Sequence, residues 1–130
     1  MKGFVENIED VTLKNTDFRR VLYTAKNCQL VVMSIAAGED VGEETHKLDQ
    51  FIRFESGKGK AVLDDVEHDV QDGSAVIVPA GTKHNIINTG TKPLQLYTVY
   101  SPPEHQDGEV HKTKADGLLK EKHFDGKTTE

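Results

Sequence analysis

Glycine, proline and paired polar residues interrupt this chain every 6 to 12 residues from Asn27 onward, and no helical period fits between the interruptions. That punctuation most limits what the chain can fold into. Helices need roughly 10 residues or more to bury a face, whereas segments this short suit strands joined by tight turns. The run Cys28-Gln29-Leu30-Val31-Val32-Met33-Ser34-Ile35-Ala36 is β-branched and apolar, and Gly38-Glu39-Asp40 ends it. Arg19–Thr24 reads as a strand before it; residues 45–55, 60–63, 67–70, 75–78, 84–88 and 94–100 read as strands after it. Gly57-Lys58-Gly59 joins the first two of these later strands in a hairpin-like arrangement, and Pro79-Ala80-Gly81-Thr82 is a turn. Scattered apolar residues from Phe4 to Leu13 read as a short edge strand. Many short strands with regular turn signals imply an all-β sandwich or barrel.

One core suits 130 residues. Residues 1–112 are expected to form it; residues 113–130 read as a charged tail, helical between 114 and 123 around Gly117, or disordered toward the end. A formal net charge of -6 argues against nucleic-acid binding, which wants a basic surface. No apolar run approaches a membrane span, and Met1–Asn7 has no signal-peptide core, so a cytoplasmic protein is expected. The lone Cys28 excludes an internal disulfide and reads as an inert core residue.

Glu44-Thr45-His46 sets a carboxylate and an imidazole on one face of a strand. The bland reading of the pair is a solvated loop beside Glu39, Asp40 and Glu43, and that of His84 alone is a strand histidine with its hydrogen bonds met. Strand parity carries Gln50, Ile52 and Phe54 to the face of Glu44 and His46, an apolar lining around a polar focus, although Ile52 and Phe54 read better as plain barrel core. His84, Ile86 and Asn88 share another face, where Asn88 ties a turn through its amide. Tyr97 or Tyr100 either offers a phenol to the pocket or packs in the core with its hydroxyl at the surface, while Arg53 and His68 read as surface residues. His105 and His111 could fold over the barrel mouth, but six residues apart in a loop they carry a weak metal signal, and His123 carries none.

The spacings fall into two motifs. Gly38, five residues, Glu44-x-His46, three residues, Gln50, six residues, Gly57 is one; Gly73, five residues, Pro79-x-Gly81, two residues, His84, three residues, Asn88 is the other. They resemble the paired signatures of the cupin superfamily, G(x)5HxH(x)3-4E(x)6G and G(x)5PxG(x)2H(x)3N, over about residues 28–101. The second motif fits at every position; the first carries Glu44 for the first His and Gln50 for the Glu. The resemblance implies a small antiparallel jelly-roll barrel binding one divalent metal, here through Glu44, His46, Gln50 and His84.

Two imidazoles, a carboxylate and an amide oxygen leave zinc, iron, manganese and nickel all open. The set is similar to that of mannose-6-phosphate isomerases, with Gln and Glu exchanged. The expected function is a metal-dependent enzyme acting on a small oxygenated molecule, by isomerase-like or dioxygenase chemistry. Glu44, or water held by Gln50, would move the proton. The alternative is a non-catalytic cupin binding a small ligand or a structural metal. Lys47 and Lys83 are the only cations near the motifs, which weakens a phosphate substrate. A homodimer, paired through the 4–13 edge segment, is the expected assembly.

Overall fold

In a computed structural model, which describes residues Met1–Glu130, ten strands form two facing antiparallel sheets. The strands are β1 (Arg19–Thr24), β2 (Gln29–Ile35), β3 (Glu44–Thr45), β4 (Asp49–Ser56), β5 (Lys58–Leu63), β6 (Val66–Gln71), β7 (Ala75–Val78), β8 (Lys83–Asn88), β9 (Leu94–Ser101) and β10 (Val110–His111). One sheet has the order β10-β1-β2-β9-β4-β7, the other β3-β8-β5-β6. The arrangement is of the jelly-roll type, and β8 and β9 show the inside-outside alternation that a two-layer core demands. Val31, Ile35, Phe54 and Leu94 are fully enclosed between the layers.

Two glycines make the crossing between sheets possible. A Cβ on Gly57 would sit 2.7 Å from the Pro93 carbonyl oxygen, and one on Gly59 would sit 2.3 Å from that of Ile87. Gly57 also has φ +97. The chain therefore turns out of β4, which pairs with β7 and β9, directly into β5, which pairs with β6 and β8. This corrects the hairpin expected around Gly57-Lys58-Gly59: the close backbone approach carries the chain across the sandwich instead of back along β4. The true hairpin is β5–β6, whose turn residues Asp64 (φ 47) and Asp65 (φ 68) both adopt the left-handed geometry of a two-residue turn.

The edge strand expected near the N-terminus is a helix, α1 (Ile8–Lys14). Asn7 caps it, its side chain accepting from the Asp10 amide at 3.0 Å, and Glu9 and Asp10 favour the first turn. Ile8, Val11 and Thr12 recur at helical spacing, with Thr12 fully buried. Gln95 donates to the Leu13 carbonyl at 2.9 Å, closing the far end. The segment offers no strand edge for pairing across a two-fold axis.

In the tail, helix α2 (Lys114–Lys120) follows β10 within the stretch read as helical, capped by Thr113, and the residues beyond it make backbone hydrogen bonds to the barrel. Gln106 N donates to Lys122 O, Phe124 N to Glu104 O, and Thr129 N to Thr24 O. Cys28 is exposed, because the turn before β2 includes it and the buried strand begins at Gln29. No helix is long and apolar enough to cross a membrane.

Candidate metal centre

The stretch expected as one strand over residues 45–55 breaks into β3 and β4, and the break builds the site. Glu44, on β3, lies opposite His84 on β8 in the smaller sheet. Gln50, on β4, lies opposite Tyr100 on β9 in the larger sheet. His46 sits in the connection between them, its carbonyl accepting from Gly81 N at 2.8 Å. Gly81 belongs to the turn that launches β8, so one hydrogen bond fixes both histidine-bearing segments. Glu44, His46, Gln50 and His84 consequently line a single cavity of about 20 Å³ between the sheets, with Tyr100 as a fifth polar wall. Met33, Ile52, Ile86 and Leu96 supply the apolar lining. That volume suits one water-sized species.

Each donor is held by its neighbours. His84 Nδ1 lies 2.9 Å from the Thr82 carbonyl, which calls for the proton on Nδ1 and leaves Nε2 with a free lone pair. The His46 ring lies between two carboxylates: Nε2 is 2.9 Å from Glu44 Oε2, and Nδ1 is 3.4 Å from Glu104 Oε2. The two imidazoles stand 5.1 Å apart, centroid to centroid. Burial is the largest single effect and works against charge on both Glu44 and His46, but their mutual hydrogen bond and the opposite charges around them together outweigh it. The Glu44 carboxyl lies below its ordinary range and the His46 imidazole above its own.

Gln50 gives the clearest signal. Thr98 Oγ1 donates its single proton to the Phe51 carbonyl at 2.8 Å, so it can only accept from Gln50, whose Nε2 lies 3.0 Å away. The amide orientation is therefore determined, and Gln50 Oε1 is left buried with no partner. A buried carbonyl oxygen without a donor costs about 1–3 kcal/mol. On a cavity wall shared with two imidazoles and a carboxylate, that oxygen fits an electropositive guest. The donor types together fit a divalent transition ion.

Sequence reasoning let His105 and His111 fold over the barrel but missed Gln29, which fixes their loop. Gln29, fully buried at the start of β2, donates to the His105 carbonyl at 2.8 Å and accepts from His105 N at 3.0 Å. It holds the 104–105 loop against two residues of the cavity wall, His46 and Tyr100. His105 (1% exposed) and His111 (2%), read as tail residues with a weak signal, are among the most buried side chains. His105 Nε2 lies 3.4 Å from Tyr100 Oη, and His111 Nε2 lies 3.2 Å from Glu109 Oε1. Burial pushes the Tyr100 phenol well up and holds His105 far below the ordinary imidazole range, so both are neutral. Burial raises the Glu104 carboxyl, and the nearby charges of Glu44 and Glu121 add to it. A polar Gln opening an apolar strand was the one sequence signal available for this loop.

Of the other expected residues, Tyr97 is half-buried, its ring 6.3 Å from that of Phe51, and takes no part. Asn88 ties its turn as expected, donating to the carbonyls of Ile35 and Lys92 and accepting from Gly90 N. His68 is exposed, and Arg53 lies against Glu55.

Two antiparallel sheets enclosing a small His- and carboxylate-lined cavity define a jelly-roll protein. The family profile described as "Cupin domain" matches residues 31–100, and the chain belongs to the cupin family. It is 46% identical over 127 residues to the uncharacterized protein YrkC of Bacillus subtilis, covering 92% of this chain and 68% of that one. It is 43% identical over 112 residues to the uncharacterized protein L612 of Acanthamoeba polyphaga mimivirus, covering 82% and 70%. Among solved structures, BH2720 of Bacillus halodurans superposes with a TM-score of 0.89 at 46% identity, covering 91% of this chain and 95% of that chain.

Proposed function

We propose that this cupin binds one divalent transition ion through Glu44, His46, His84 and Gln50 Oε1, and moves a proton on a small uncharged oxygenated molecule. The observation that carries the reading is the buried, partnerless Gln50 Oε1 on a cavity wall shared with two imidazoles and a carboxylate. A bound ion would supply Lewis acidity toward a substrate oxygen. Glu44 is ionised at neutral pH and is the residue suited to take a proton. Tyr100, a neutral phenol at the same cavity, can donate a hydrogen bond but does not ionise. Met33, Ile52 and Leu96 keep bulk water from the back of the site.

The charge around the opening selects against phosphate. Glu44, Glu104 and Glu121 face only imidazoles at ion-pair distance, and Lys83 is engaged with Asp65 at 2.9 Å. A sugar or hydroxycarbonyl compound suits this mouth better than a sugar phosphate. The small enclosed volume favours, as a second reading, a cupin that holds an ion without turning over a substrate.

Solvent-deuterium exchange separates the two. The Mn²⁺- or Zn²⁺-loaded chain is incubated in D2O with a panel of short hydroxyaldehydes, hydroxyketones and pentoses, and the C–H signals are followed by NMR. Catalysed exchange that Glu44→Gln abolishes, with metal content retained, supports proton transfer. No exchange with any compound overturns the catalytic reading and leaves the binding one.

A further inference from the structure

A second group of donors lies outside the cavity, where the C-terminal segment crosses the mouth. The ligand atoms of Glu104, Glu121 and His123 all fall within 4.8 Å of one another. These residues come from three places: the loop after β9, the residue following α2, and the short antiparallel pairing of His105 with His123. His123 Nε2 is 3.4 Å from Glu104 Oε1. That is close to the roughly 3.3 Å separating two ligands in a tetrahedral site with metal–ligand bonds of about 2.0–2.1 Å.

An independent observation points the same way. His105 is 1% exposed, yet its Nδ1 has no hydrogen-bond partner. It lies between this group and the barrel, 3.7 Å from Glu121 Oε1 and 3.9 Å from Glu109 Oε2, both too long for a hydrogen bond. No lysine or arginine side chain stands within ion-pair distance of Glu104 or Glu121; their partners are His46, His105 and His123. Carboxylates answered only by imidazoles, one of them unsatisfied, make up a transition-ion site more than an ion-pair network.

We infer that Glu104, Glu121 and His123 form a second cation site at the mouth, distinct from the cavity, that takes Zn²⁺ or a similar divalent transition ion and clamps the C-terminal segment onto the barrel. His105 Nδ1 is the nearest further donor, and water fills the open positions. The imidazole and the small number of oxygens select against Ca²⁺ and Mg²⁺, which want six or more oxygen ligands or retained water. Glu104 is shared between levels: Oε1 faces His123 and the cation, while Oε2 faces His46 Nδ1. Occupancy of the mouth therefore steadies the imidazole that the cavity uses.

The test is Zn²⁺ titration of the metal-free full-length chain by calorimetry, in wild type, in His84→Ala, and in Glu121→Gln/His123→Ala. Glu121 and His123 are exposed, so the double variant should fold, which circular dichroism checks. Two equivalents are expected in wild type. His84→Ala should retain one with Kd of about 10 µM or tighter, and the double variant should lose that one alone. Bound Zn²⁺ should also slow tryptic cleavage after Lys120 and Lys122 in His84→Ala at least tenfold, and not in the double variant. No uptake by His84→Ala below about 1 mM Kd, or unchanged stoichiometry in the double variant, overturns the mouth site. One equivalent in wild type and none in His84→Ala would leave the cavity site standing and remove this one. One equivalent that survives in His84→Ala but vanishes in the double variant would do the reverse.

Discussion

Replacing Gln50 with leucine separates a residue kept for a guest from one kept for the fold. In the metal-free protein the substitution removes one buried hydrogen bond, Gln50 Nε2 to Thr98 Oγ1 at 3.0 Å, and one buried orphan, Oε1. The lost bond costs about 0.5–1.5 kcal/mol, and relief of the orphan returns about 1–3 kcal/mol. Thr98 keeps its own bond to the Phe51 carbonyl, so no new unsatisfied donor is created. Leucine is close to glutamine in volume and would share the cavity wall with Ile52 and Leu96, so packing changes little. The net expectation is a metal-free protein as stable as wild type or stabilised by up to about 2 kcal/mol. In urea, with m of roughly 2 kcal/mol/M, the midpoint should stay or rise by up to about 1 M at unchanged m. Stabilisation by added Zn²⁺ should shrink. A midpoint that falls by more than about 0.5 M would refute the reasoning, because Gln50 would then be a structural residue whose carbonyl is satisfied.

The remaining expectations concern the scaffold. Gly59→Ala should destabilise by at least about 3 kcal/mol or prevent folding, since its Cβ would meet the Ile87 carbonyl oxygen at 2.3 Å; a loss under about 1 kcal/mol in thermal unfolding would contradict the close approach. Gln29→Leu should cost about 3–5 kcal/mol, because it strands the amide and carbonyl of His105 and the Thr24 hydroxyl in the interior; near-wild-type stability would show that the loop is held otherwise. Asp40 accepts from Asn85 and pairs with Lys114, which lowers its carboxyl below 3.8. Its contribution is complete above pH 3.8 and fades as pH falls through the lower folded value. An NMR titration should put its midpoint below 3.8, and a midpoint at or above that would contradict the contacts.

The sandwich was legible because burial imposes a period on strands. Leu94, Leu96, Thr98 and Tyr100 all point inward, and Ala75–Val78 begins and ends where its turns dictate. His84 and Asn88 were legible for a related reason, since a strand between two fixed turns leaves little freedom of register. Elements that owe their shape to a single local contact were not. Helix α1 rests on one capping asparagine and a seven-residue run, too short for a helical period to stand out against scattered apolar residues. The crossing at Gly57 and Gly59 depends on backbone from a segment thirty residues later, which no local reading contains. The mouth was hidden because polar residues do its packing. Arg19, Gln29, His105 and His111 are buried through one another, and charge in a tail ordinarily signals solvent.

The central claim is that the cavity is a metal site whose ligands include the altered positions Glu44 and Gln50. Anomalous diffraction from crystals of untagged protein, paired with elemental analysis of the same batch, tests it most directly. The account predicts one ion in the cavity at about 2.0–2.2 Å from Glu44, His46 and His84, with Gln50 Oε1 completing the set. Less than about a tenth of an equivalent of any transition metal, with no anomalous peak between the sheets after soaking in Zn²⁺, would contradict it.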